Sequence, residues 1–144
     1  MNSNRIVISL ATFTAVAGII YWIAVFTGIF QVTDLVPGYK TWFMSFPIAD
    51  SWLFICAILA VVYTVRNHAL AGLFAPLTGA SLIFLGLYAF TYGVNTGLIF
   101  ILTPDEVIEI LIKVYCLSAG SALIYHGWKL NKSYSPGMID TAGA

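Results

Sequence analysis

Charge is what this sequence has least of. Six basic and six acidic side chains make up 8% of its 144 residues, against about 25% in ordinary soluble proteins, and they sum to a formal net charge of zero. Twelve charges cannot cover a water-soluble protein of this length, which excludes a soluble enzyme and a solvated disordered segment. Without a basic face there is no electrostatic route to nucleic acid. Cysteine is nearly absent as well. Cys56 and Cys116 form neither a CxxC nor a zinc spacing, so no disulfide framework or metal finger is expected. Nor is there an HExxH, a phosphate loop or a nucleophile elbow. His68 and His126 lack the further ligands that a metal or haem would need, so no metal and no cofactor is expected.

What fills the sequence instead is apolar. Hydrophobic residues reach 60%, and the mean hydropathy is +0.95. A bilayer core takes a helix of about 20 apolar residues. Four stretches meet that length: residues 6–30, 47–65, 69–94 and 104–130. Lipid offers the backbone no hydrogen-bond partners, so each must be helical. The expected fold class is all-α, a polytopic membrane protein with four transmembrane helices in an antiparallel bundle. The bundle occupies residues 1–131, and residues 132–144 read as a flexible tail. Ala15-Val16-Ala17 resembles a signal-peptide cleavage site, but the apolar run continues to Phe30, which favours a retained first span.

Connections and caps refine this picture. Arg66-Asn67-His68 is a tight turn that makes the second and third helices antiparallel neighbours. The longer loop after the first span holds Pro37-Gly38, a turn signal, and then an aromatic cluster suited to the headgroup level. Thr103-Pro104-Asp105-Glu106 reads as an N-cap and capping box for the fourth helix. Arg5, Arg66, Lys129 and Lys132 fall on one side and Lys40 alone on the other, so both termini are expected in the cytoplasm, in a plasma or inner membrane. A short echo links Phe26-Thr27-Gly28-Ile29-Phe30 to Asn95-Thr96-Gly97-Leu98-Ile99-Phe100, and duplication is the minor reading of it.

Gly72, Gly79, Gly86 and Gly93 recur every seven residues along the third span. Such a stripe lets a partner helix approach closely. Packing within the chain is the plain expectation, and self-association is the alternative. Pro76 is expected to kink this helix. Cys56 and Cys116 fall mid-span, where they serve as small hydrophobes.

Ionisable groups at membrane depth are the candidates for chemistry. Lys113 lies about 13 Å along the fourth helix from Pro104, inside the hydrocarbon, and leans back toward Glu109 in the favourable i,i+4 order. Asp50 opens the second helix, Tyr92 and Asn95 close the third, and Trp42 caps from the loop. Together Glu109, Lys113, Asp50, Asn95, Tyr92 and Trp42 would form an outward-facing polar pocket over an apolar bundle. Each also has a plain structural explanation: an ion pair neutralising itself, a helix-end acid, a turn, an aromatic belt. Three functions compete. The first is binding or transport of an amphipathic small molecule or a membrane lipid by a homo-oligomer. The second is an accessory subunit docked through the glycine stripe. The third is a membrane enzyme using general acid–base chemistry on a lipid-like substrate, which the missing nucleophile and motifs disfavour.

Overall fold

A computed structural model of the protein describes residues 2–101 and 103–134, apart from the side chains of Asp105 and Tyr134. The regular structure among the described residues is all helical, without a strand. Helix α1 spans Ser3–Phe26, α2 Tyr39–Phe43, α3 Phe46–Val65, α4 Ala71–Thr96 and α5 Pro104–Tyr134, with a 3-10 turn at Leu98–Phe100. Four stretches are long and apolar enough to cross a membrane: α1, α2 running into α3, α4, and α5 from Glu106 to Ser133. The long helices pack each against the next, and α5 closes the bundle against α1, while α1 and α4 lie diagonally and barely touch. A hydrogen bond of 3.2 Å between Ser3 and His126 and one of 3.3 Å from Asn4 to Asn67 gather the start of α1, the α3–α4 turn and the last turns of α5 at one end. The loop bearing α2 covers the opposite end.

The first span ends at Phe26 rather than Phe30. Hydropathy carries on past that point, but the backbone turns. Thr27 Oγ1 donates to the Ile23 carbonyl at 2.7 Å, and Gly28 takes φ +76°, the left-handed conformation that stops a helix. The same pair closes α4: Thr96 Oγ1 donates to the Tyr92 carbonyl at 2.8 Å, and Gly97 has φ +77°. The echo between the two segments is thus a repeated stop signal. His68 Nδ1 accepts from the Leu70 N–H at 3.2 Å as the chain enters α4, which gives one histidine a local structural role. Pro76 sits inside α4, which continues through it as a single helix. The last helix outruns its expected limit of residue 130, reaching Tyr134. From residue 135 onward the expected tail lies outside the described residues.

Size is distributed inside out. The interior is built largely of small side chains, among them Ala11, Ala57, Ala60, Ala71 and Ala75. Large apolar residues face outward, with Ile48 86% and Phe84 70% exposed. That is the arrangement of helices whose exterior is solvated by hydrocarbon and whose cohesion comes from close backbone approach.

The glycine stripe makes a close backbone approach, and it lies within the chain, against α5. A Cβ on Gly79 would sit 2.5 Å from the Gly120 carbonyl oxygen, and one on Gly120 would sit 2.7 Å from that of Gly79. Toward the termini, Gly72 abuts the Asn131 backbone, and Gly127 lies against the Pro76 ring. Toward the loop end, Gly86 meets Cys116. The face offered for self-association is therefore already covered. Cys56 and Cys116 are free thiols buried among these small residues. Gly79→Ala should destabilise the bundle by about 1–3 kcal/mol, because backbone must move to admit the methyl group. Chemical unfolding of the purified protein in mild detergent measures this, and wild-type stability would refute the tight seam.

Candidate functional site

The first turns of α5 carry the charge. Thr103 caps the helix, accepting the Glu106 N–H at 3.2 Å through Oγ1. The other half of the expected capping box is not made. Glu106 turns its carboxylate along the helix instead, two turns down to Lys113, with Nζ 3.0 Å from Oε1. Glu109 approaches the same ammonium at 3.2 Å from one turn away. Glu106 and Lys113 are 2% and 5% exposed, so this is a desolvated ion triad on one helix face. Gly93 makes the room: a Cβ there would lie 3.4 Å from Nζ. Moving each ion out of water costs several kcal/mol, which charge-assisted hydrogen bonds from the ammonium to both carboxylates offset.

The loop closes over this triad. Gly38, at φ +83°, turns the chain into α2. Its first residue, Tyr39, is buried and donates its hydroxyl to Glu109 Oε1. Trp42, one turn on, stacks on Tyr92 of α4 with ring centroids 3.8 Å apart and planes 9° from parallel. Its far edge meets Phe46 at 4.8 Å, edge to face. The Trp42 indole N–H is buried and has no partner among the described residues. Leaving such a donor unsatisfied costs about 1–3 kcal/mol.

Asp50 occupies a separate wall. It lies one turn into α3, and its Oδ2 accepts the Trp22 indole N–H at 2.8 Å. Trp22 in turn packs on Phe43, centroids 5.3 Å apart. Asp50 also lines a hollow of about 430 Å³ bordered by α1, α3, α4 and α5. Its walls are Phe13, Ala17, Gly18, Tyr21 and Trp22 from α1, Leu53 and Phe54 from α3, Leu82 and Leu85 from α4, and Ile108, Leu111, Ile112 and Tyr115 from α5. Phe13 and Leu111, half or more exposed, stand at its mouth. Below it, the Thr14 and Tyr115 hydroxyls meet at 2.8 Å and tie α1 to α5. A smaller space of about 90 Å³ continues toward the loop end, lined by Asp50, Trp42, Phe46, Glu109 and Lys113. The two share Tyr21, Trp22, Asp50, Leu85 and Ile112, so they adjoin at Asp50 and together make a chamber bordered at its loop end by Glu109 and Lys113. In size the chamber falls among small-molecule sites, which span about 300–1,000 Å³.

Of the six residues expected to converge, five do so. Glu109, Lys113, Trp42 and Asp50 border the smaller space, and Tyr92 backs it through its stack on Trp42. Asn95 is exposed at the end of α4, apart from the cluster. Three contributors escaped the sequence reading. Glu106 was legible as a heptad partner of Lys113 but was given to the capping box. Trp22 and Tyr39 carried no local signal, since their partners lie 28 and 70 residues away in the chain. No family model, curated protein or solved structure matches this chain.

Lys113→Met should cost about 3–5 kcal/mol of stability, because it leaves two carboxylates desolvated without a counter-ion. Adding Glu106→Gln and Glu109→Gln to it should recover most of that loss. Urea unfolding in detergent checks both, and additive losses across the three substitutions would show that the residues do not act as a unit.

Proposed function

We propose that this protein crosses a plasma or inner membrane four times, with both termini in the cytoplasm, and binds an amphipathic small molecule or lipid. The guest enters from the bilayer between α1 and α5, lays its apolar part in the hollow and presents its polar end to Asp50 and the triad around Lys113. The single observation that carries this reading is the chamber itself. A largely apolar hollow, with the exposed Phe13 of α1 and Leu111 of α5 in its lining, adjoins a smaller space bordered by Asp50, Glu109 and Lys113. The triad offers an enzyme little freedom to exchange protons or attack a substrate, because Lys113, Glu106 and Glu109 are held by one another, and Asp50 alone brings neither a nucleophile nor a second catalytic group. An accessory subunit was to dock through the glycine stripe, and α5 already covers it. Transport by a homo-oligomer, as distinct from binding, would have to assemble through another face of the bundle.

Native mass spectrometry of protein extracted in mild detergent should show retained or exchangeable single-chain amphiphiles. Ala17 borders the hollow, and Ala17→Trp should fill it and lower occupancy by about tenfold or more, as the loss of a buried apolar contact surface predicts. Equal adducts on wild type and Ala17→Trp would overturn the chamber as the binding site. For orientation, Lys40→Cys should react with a membrane-impermeant maleimide in intact cells, and Lys132→Cys only after lysis. Both native cysteines are buried and give little background. The reverse labelling pattern would invert the topology.

A further inference from the structure

We infer that the guest's head is a cation: the chamber is built for a single-chain amphiphile ending in an ammonium, and Asp50 is its counter-ion. This rests on the reading of the chamber as a binding site and adds what that site selects. Four carboxylate or ammonium side chains border the chamber or hold the triad beside it among the described residues, namely Asp50, Glu106, Glu109 and Lys113, and three of them are acids. The one base is spent. Lys113 is held at 3.0 Å by Glu106 and at 3.2 Å by Glu109, both on its own helix. Asp50 receives a hydrogen bond from Trp22, a neutral donor, and no ion pair to it exists among the described residues. A carboxyl group facing an apolar hollow without a counter-ion gains from being ionised when a positive guest sits beside it, and a negative guest gives it no such gain.

The walls around Asp50 fit the same charge. Tyr21, Trp22, Phe43 and Phe46 share the smaller space with it, and ring faces attract ammonium groups through their quadrupoles. A second observation is independent of the acids. The buried Trp42 N–H, on the same space, has no acceptor among the described residues. A head that carries an oxygen beside its ammonium, as amino alcohols and choline esters do, would supply one. The ammonium could belong to a free long-chain amine or to the head of a zwitterionic lysolipid, and both present this chemistry.

The test uses the full chain purified in a maltoside detergent, titrated with hexadecyltrimethylammonium and with hexadecyl sulfate while tryptophan fluorescence is followed. The matched tails equalise partition into micelles. The wild type should bind the cation about tenfold or more tightly than the anion, the scale of one charge-assisted contact. Asp50→Asn keeps an acceptor for Trp22 and should reduce that preference to about twofold or less, while apolar binding persists. Blocking by Ala17→Trp should abolish the signal for both probes. Equal binding of cation and anion by the wild type, or an unchanged preference in Asp50→Asn, overturns the cationic head and leaves the chamber standing. Failure of both probes to bind overturns the chamber and this inference with it. A lysophosphatidylethanolamine arm identifies the carrier: competition with the cation at similar affinity assigns the ammonium to a lipid head, and its absence assigns it to a free amine. In both cases the cation preference supports the inference.

Discussion

A lysine buried in an apolar bundle has to be neutralised by something that can reach it, and the rest of this structure arranges itself around how that is done. Lys113 lies about 13 Å from the start of its helix. It is neutralised from its own helix, by Glu109 one turn away and Glu106 two turns away. Because both acids point along α5, the polar face of that helix is set by contacts within the helix itself. Gly93 then matters for more than backbone approach, since the space left by its missing side chain faces Nζ. The loop follows the same constraint. Glu109 is the least buried of the three, and Tyr39 reaches down from α2 to supply its remaining hydrogen bond.

Anchoring Tyr39 determines what else the loop can do. Four residues of α2 and its continuation, Tyr39, Trp42, Phe43 and Phe46, form an aromatic layer with Trp22 and Tyr92. That layer covers the chamber at the loop end and supports the Trp22–Asp50 hydrogen bond from the side. Rings are suited to this task because they bury large areas with few rotatable bonds and tolerate a nearby polar edge. Trp42 illustrates the compromise. Its stack on Tyr92 positions the ring well, and the same placement buries an indole N–H without an acceptor.

Much of the architecture was legible because it follows from one-dimensional patterns. Hydropathy located the four spans, the seven-residue glycine repeat located the seam, and the i,i+4 spacing located the Glu109–Lys113 pair. Local signals that served two purposes were misleading. Thr103-x-x-Glu106 does cap α5, but only with the threonine, because an acid two turns from a buried lysine is stabilised more by that ion than by a backbone N–H. The end of α1 was missed because apolar residues continue beyond the Thr27-Gly28 stop. Convergence of Trp22 on Asp50 and of Tyr39 on Glu109 depends on how helices pack across the bundle, which no spacing within a helix encodes. Asn95 shows the converse: proximity in sequence to Tyr92 did not place it on the same face.

The chamber itself is a consequence of unequal packing. Along α4 and α5, glycine against glycine brings the two backbones closer than any side chain would allow, and dispersion gains there are large because the contact is dense. Between α1 and α5 packing is sparser; Phe13 meets Tyr115 edge to face, and the Thr14–Tyr115 hydrogen bond ties the two helices. A helix drawn tightly to one neighbour is left less closely packed on another, and the hollow is lined from both sides of that looser contact. A hollow of about 430 Å³ would be an expensive void if nothing occupied it. Phe13 and Leu111 in its lining are exposed, however, so it is not a sealed void. Apolar contacts suit its walls but bring nothing to Asp50. That residue is therefore the acid in an otherwise largely apolar wall, held by the Trp22 indole, and it is what distinguishes the hollow from a plain gap in the packing.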